Sequence, residues 1–150
     1  MTAATNERLV LEADLLELRK VGGWLKDVIP PTVPDGYDSD DLVGRLELAL
    51  QELTVNIVEH GYEFADGTLS LEFGHENRVG TIVIRDNGAP FDFDNAKRAD
   101  LSVPQVNGYG LTIIETLVDH FDYERAENTN IWTVSFGLAQ DESEAADRGN

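Results

Sequence analysis

The period of the apolar positions changes several times along the chain, and each change marks an element. RLVLEA, Arg8 to Ala13, alternates apolar and polar side chains and predicts a short strand. From Asp14 the stretch DLLELRKVGGWLKDVI has helical spacing with an aspartate at its start, and Gly22 and Gly23 weaken it. The proline cluster IPPTVPDG, Ile29 to Gly36, reads as a connector between two helices. The following segment, SDDLVGRLELALQELTVNIVEHG, opens on a Ser39 cap and lines up Leu42, Leu46, Ala49, Leu53 and Ile57 on one stripe before Gly61 stops it.

A period of two then returns. Leu69, Leu71 and Phe73 alternate, HENRVG makes a polar turn, and Ile82 and Ile84 alternate up to Asp86, which describes a hairpin. Residues Asn87 to Asn107 are rich in Asp, Asn, Pro and Gly and predict a loop. GLTIIETLVDHF predicts a third helix, and DYERA with IWTVSF supplies two last strands. The order strand, helix, helix, hairpin, loop, helix, hairpin predicts an α+β two-layer sandwich, with a mixed, mostly antiparallel sheet and helices on one face. Residues 8–137 form the expected domain, and 1–7 and 138–150 are expected to be flexible ends.

Charge and composition narrow the function classes. With 29 Asp+Glu against 11 Lys+Arg the net charge is −18, a field that repels nucleic-acid phosphates and anionic lipid and speeds encounter with a basic protein. Neither a nucleic acid nor a membrane is an expected partner. The absence of cysteine excludes a disulfide framework, a zinc ribbon and a thiol nucleophile, and fits a cytoplasmic setting.

Chemistry can sit in three places. In the second helix Glu52, Asn56 and His60 are spaced by four, so each is turned about 40° from the last and all three share a face. A carboxylate and an amide oxygen beside the buried stripe suit Mg²⁺ or the acceptance of a hydroxyl proton. Alone, the pattern is ordinary surface decoration, and a histidine at a helix end is an ordinary C-terminal charge partner. In RDNGAPFD the strand ends in Asp86, with Gly88 two residues on. This is common turn chemistry, or else a carboxylate that accepts from an exocyclic amine while the glycine lets a base approach. In NGYGL, residues 107–111, two glycines precede an apolar helix, as in a capping turn or a phosphate site on free helix amides. Neither the dinucleotide fingerprint nor the P-loop pattern is present.

Together, and in this order, the three stretches resemble the ATP-binding fold of the GHKL, or histidine-kinase-like, ATPase superfamily (the Bergerat type), and within it the small anti-sigma-factor serine/threonine kinases of bacteria. ELTVNIVEHGY is similar to that family's N box, DNGAPF to its adenine-side glycine box, and NGYGLTIIETLVD to its second glycine box, with NTNIWTV as the late strand. The resemblance implies that Glu52 is the general base toward a partner's serine and that Asn56 holds Mg²⁺ bridging the ATP phosphates. It implies that Asp86 reads the adenine amine, that Gly88 admits the base, and that Thr133 supports the adenine pocket beside Asp86. Gly108, Tyr109, Gly110 and Leu111 would offer backbone amides to the phosphates. Phe91 to Asn107 would be the ATP lid, whose Lys97 or Arg98 could swing onto phosphate. The lid is short and has few glycines, and Asn107 and Tyr109 stand where smaller residues are usual.

The implied activity is phosphorylation of a STAS-type anti-anti-sigma partner by a homodimer that also binds a sigma factor, which Arg19 and Lys20 could meet. A module that binds ATP and sequesters a regulator without phosphotransfer is the alternative. The detached ATPase part of a histidine kinase fits less well, because His60, His75 and His120 all fall in or beside ATP-type elements.

Overall fold

The computed structural model describes residues 7–62, 67–91 and 113–139. Strand β1 (Glu7–Glu12) leads through a 3-10 turn at Glu17–Arg19 into α1 (Lys20–Val28), and a second 3-10 turn at Pro30–Thr32 precedes α2 (Asp40–Asn56). The last turn of α2 widens into a π-helical turn at Ile57–Gly61. Two hairpins follow, β2 (Thr68–Glu76) with β3 (Val79–Asp86) and β4 (His120–Ala126) with β5 (Thr129–Gly137). Residues 113–117 between them are helical.

The strands lie in the order β1-β2-β3-β5-β4. The α+β arrangement is the expected one, but every described ladder is antiparallel, where a mixed sheet was expected. Two tight hairpins set edge to edge, β3 against β5, leave no parallel pair. The first hairpin closes more tightly than HENRVG predicts. Asn77 and Arg78 both take positive φ, 53° and 64°, as a two-residue turn matched to the sheet's twist requires, and His75 and Glu76 stay in the ladder.

Strand alternation gives the sheet one apolar face. Leu69, Leu71 and Phe73 of β2, Ile82 and Ile84 of β3, and Trp132, Val134 and Phe136 of β5 are buried, and they share a core with the inward residues of α1 and α2. The expected stripe Leu42, Leu46, Ala49, Leu53 and Ile57 is buried throughout. Cross-strand register arranges the inward face in rows, one of which runs Leu11, Leu69, Asp86, Asn130, Arg125, apolar at the β1 side and polar at the β4 side.

Three helix expectations change. The first helix does not run unbroken from Asp14. Asp14 Oδ1 accepts the Leu16 N–H at 2.9 Å in a local turn, and regular α-helix starts at Lys20. Gly22 faces α2: the Glu47 carboxylate reaches the place where its Cβ would stand, so a side chain there would push that flexible end aside. Ser39 sits at the start of α2 without a side-chain cap bond. Asp38 Oδ1 takes the Asp40 N–H at 2.9 Å, and Asp40 and Asp41 place negative charge at the positive end of the helix dipole. The third helix does not reach Phe121. Asp119 Oδ2 accepts the Gly137 N–H at 2.9 Å and the Asp119 N–H donates to Ser135 O, which draws the chain into the β4 ladder by His120.

Leu53 is fully buried and Leu48, on the same helix, is 47% exposed. Leu53→Ala should therefore cost about 2–5 kcal/mol of folding stability, and Leu48→Ala no more than about 0.5 kcal/mol. Urea denaturation of both variants checks the difference.

Candidate functional site

The inward row is interrupted at the end of β3 by a carboxylate. Asp86 is 2% exposed and has no ion-pair partner among the described residues. A buried charge survives only with donors around it, and three are provided. The Gly88 N–H and Asn130 Nδ2 donate to Oδ1 at 2.9 and 2.8 Å, and Trp132 Nε1 donates to Oδ2 at 2.9 Å. Each carboxylate oxygen can accept twice, so Oδ2 keeps capacity for one more donor from a ligand.

The turn after Asp86 is fixed to the end of α2. A Cβ on Gly88 would lie 2.7 Å from the Gly61 carbonyl, closer than side chains approach backbone. The Ala89 N–H donates to Gly61 O at 2.9 Å. Tyr62 Oη donates to Thr68 O at 2.6 Å and accepts the Asn87 N–H at 2.7 Å. Gly88 thus admits the α2 terminus, a role additional to the one its motif implies. These bonds hold the helix carrying Glu52 and Asn56 in one frame with Asp86.

Of the residues singled out on α2, Glu52 is half-buried, Asn56 is 3% exposed and His60 is exposed. The face expected to hold all three breaks after Asn56, because the π-helical turn spaces its residues more widely than an α-turn. Such turns occur often at functional sites. Asn56 Nδ2 is buried without an acceptor among the described residues. An amide hydrogen left so costs about 1–3 kcal/mol unless something accepts it.

Thr133 does not stand beside Asp86. It pairs with Val83 and Asp122 and falls on the opposite sheet face, since successive strand side chains alternate. Asn130 and Trp132 take the place assigned to it. Both were missed, although counting back from the apolar Trp132 by two reaches Asn130 on the inward face, where a strand core seldom carries an amide. Gly108, Tyr109, Gly110, Leu111, Lys97, Arg98 and nearly all of the expected lid lie outside the described residues.

The donor set fits a magnesium-bound triphosphate. No group of three or more His, Asp and Glu side chains could hold a metal among the described residues. Mg²⁺ characteristically takes one or two protein oxygens with substrate phosphates and water. The Asn56 amide offers one hard oxygen, and its orphaned Nδ2 suits an anionic oxygen. Glu52, one turn earlier, is the neighbouring carboxylate.

Burial pushes the Tyr62 phenol above its ordinary value near 10, the Asp86 charge adds to the rise, and the Asn87 N–H opposes it. A raised folded-state value means that the stability tied to the neutral phenol is fully present below pH about 10 and is lost as pH rises through the folded value. Tyr62→Phe should cost about 1 kcal/mol at neutral pH, and its deficit against wild type should shrink above pH about 10. Urea midpoints across that range measure both.

Residues 12–136 match the histidine kinase-like ATPase domain family. A serine-protein kinase RsbW of Bacillus thuringiensis is 36% identical over 110 residues, which cover 67% of this chain and 68% of that protein. The structure resembles the crystal structure of the RsbU and RsbW domains of a Mycobacterium tuberculosis protein, with a TM-score of 0.61 at 18% identity over 91% of this chain. The chain spans 33% of that protein's length. The histidine kinase domain of a blue-light activated kinase from Erythrobacter litoralis aligns with a TM-score of 0.54 at 19% identity, over 89% of this chain and 64% of its own. Among the described residues no helix is long and apolar enough to cross a membrane. The chain belongs to the histidine kinase-like ATPase family, on the branch of the RsbW serine-protein kinases.

Proposed function

We propose that this chain is an ATP-dependent serine/threonine kinase and anti-sigma factor, with residues 8–137 as its kinase domain, that phosphorylates a serine of a STAS-type anti-anti-sigma partner. The observation that carries the reading is the buried Asn56 amide, short of an acceptor, on a helix whose end is bonded to the Asp86 turn. A nucleotide lying between these elements would offer its adenine amine to the free lone pair of Asp86 Oδ2 and a phosphate oxygen to Asn56 Nδ2. Asn56 Oδ1 would hold Mg²⁺, which would supply charge neutralisation on the phosphates. Glu52 takes the proton from the serine hydroxyl as its oxygen attacks the γ-phosphorus and ADP leaves.

The acidic surface favours a basic contact patch on the partner. A homodimer that also holds a sigma factor follows from the family resemblance.

Incubation with MgATP and a STAS partner should give a phosphoserine detectable by mass spectrometry, and none with wild-type protein would overturn the kinase assignment. Glu52→Ala should slow phosphotransfer by about 10²–10⁴-fold with ATP affinity nearly intact. An unchanged rate would instead favour a module that sequesters its partner without phosphotransfer.

Base recognition has its own test. Wild type should bind ATP more tightly than GTP, and Asp86→Asn should lose about tenfold of that preference, as titration of each nucleotide measures. Equal wild-type affinities would contradict the adenine assignment.

A further inference from the structure

Asn130 lies directly across from Asp86 in the β3–β5 ladder, and Arg125 lies across from Asn130 in the β4–β5 ladder. The groups around the Asn130 amide are sorted by type. On one side stand groups that donate to it: Arg125 Nη1 donates to Oδ1 at 3.0 Å, and the Tyr123 hydroxyl donates to the same oxygen. On the other side stand acceptors alone: Nδ2 donates to Asp86 Oδ1 at 2.8 Å and to Ala89 O at 2.9 Å, with Gly88 O at 3.4 Å. Turning the amide over would set oxygen against three oxygens and NH₂ against a guanidinium. Only one orientation satisfies every partner.

We infer that Asn130, held in this orientation by Arg125 and Tyr123, is a positioning residue that sets the Asp86 carboxylate for base recognition and ties it to the start of the loop after β3. The inference rests on the reading of Asp86 as the adenine-facing carboxylate. Arg125 Nη1 also donates to Gly88 O at 2.8 Å, so the guanidinium bridges the amide and the turn that leads into the loop. Its positive charge polarises the amide, which strengthens the Nδ2 hydrogen bond to the carboxylate. The Tyr123 hydroxyl in turn accepts the Phe91 N–H at 3.0 Å, which fixes the loop two residues beyond Ala89. The row therefore places the carboxylate and the loop's first residues together, and it leaves Asp86 Oδ2 bonded to Trp132 with a lone pair to spare.

The experiment compares Asn130→Asp, Arg125→Met, Arg125→Lys and Asp86→Asn with wild type, measuring the affinities for ATP and GTP and the melting temperature of each. Asn130→Asp sets a second carboxylate against Asp86 and should reduce the ATP preference about tenfold. Arg125→Met should reduce it several-fold, and Arg125→Lys should restore most of it, since an ammonium can donate to both Gly88 O and Asn130 Oδ1. In phosphotransfer assays these variants should raise KM for ATP more than they lower kcat. Arg125→Met and Asn130→Asp that keep the wild-type ATP-to-GTP ratio, with only a lowered melting temperature, would overturn the positioning role while an Asp86→Asn effect left the base reading standing. An unaltered preference in Asp86→Asn would overturn both. Should Asn130→Asp fail to fold, the Arg125 pair decides alone: loss in Met with rescue in Lys upholds the role, and an unchanged ratio in both overturns it.

Discussion

A carboxylate buried without a cation beside it has to be surrounded by hydrogen-bond donors, and the rest of the site follows from how Asp86 meets that demand. Its three donors come from its own turn and from two alternate positions of a neighbouring strand. The strand must therefore lie in one register, because a slip of one residue would carry Asn130 and Trp132 to the far side of the sheet. One charge thus fixes the pairing of β3 with β5 and joins the two hairpins into a sheet.

The same turn binds the sheet to the helical layer. The approach of Gly88 to Gly61 brings two backbones into contact, which only a residue lacking Cβ allows. Where α2 ends, its π-helical turn changes the rotation of the last residues, so Asn56 faces inward while His60 points to water. A helix, a turn and a strand thereby converge on one corner of the domain, where the one buried side-chain nitrogen without a partner among the described residues, Asn56 Nδ2, is found.

Much of this was legible in the amino-acid sequence. The α2 stripe is a period of 3.6 and the strands a period of two, and these patterns depend on burial alone, which side-chain type reports directly. What was not legible depends on partners distant in sequence. Gly22 looks like a helix weakener until Glu47 is beside it. Ser39 looks like a cap, yet Asp38 takes that role through a bond to the backbone two residues on. GLTIIETLVDHF keeps an apolar rhythm to its end, but Asp119 is claimed by β5 and the last residues become strand. In NTNIWTV the resemblance points to Thr133, while the facing rule gives the place beside Asp86 to Asn130. The resemblance implied a supporting residue at that place, and only the alternation of the strand determines which residue stands there.

The hydrogen bond from Asn130 to Asp86 spans 44 residues of chain. Each hairpin closes through its own short turn and can form early, whereas bringing β5 against β3 requires closing the intervening stretch of chain, at an entropic cost that grows with the logarithm of its length. Neither half by itself supplies Asp86 with all three of its donors. The buried carboxylate is consequently satisfied only when the two halves have docked, so a nascent or partly unfolded chain leaves Asp86 to water.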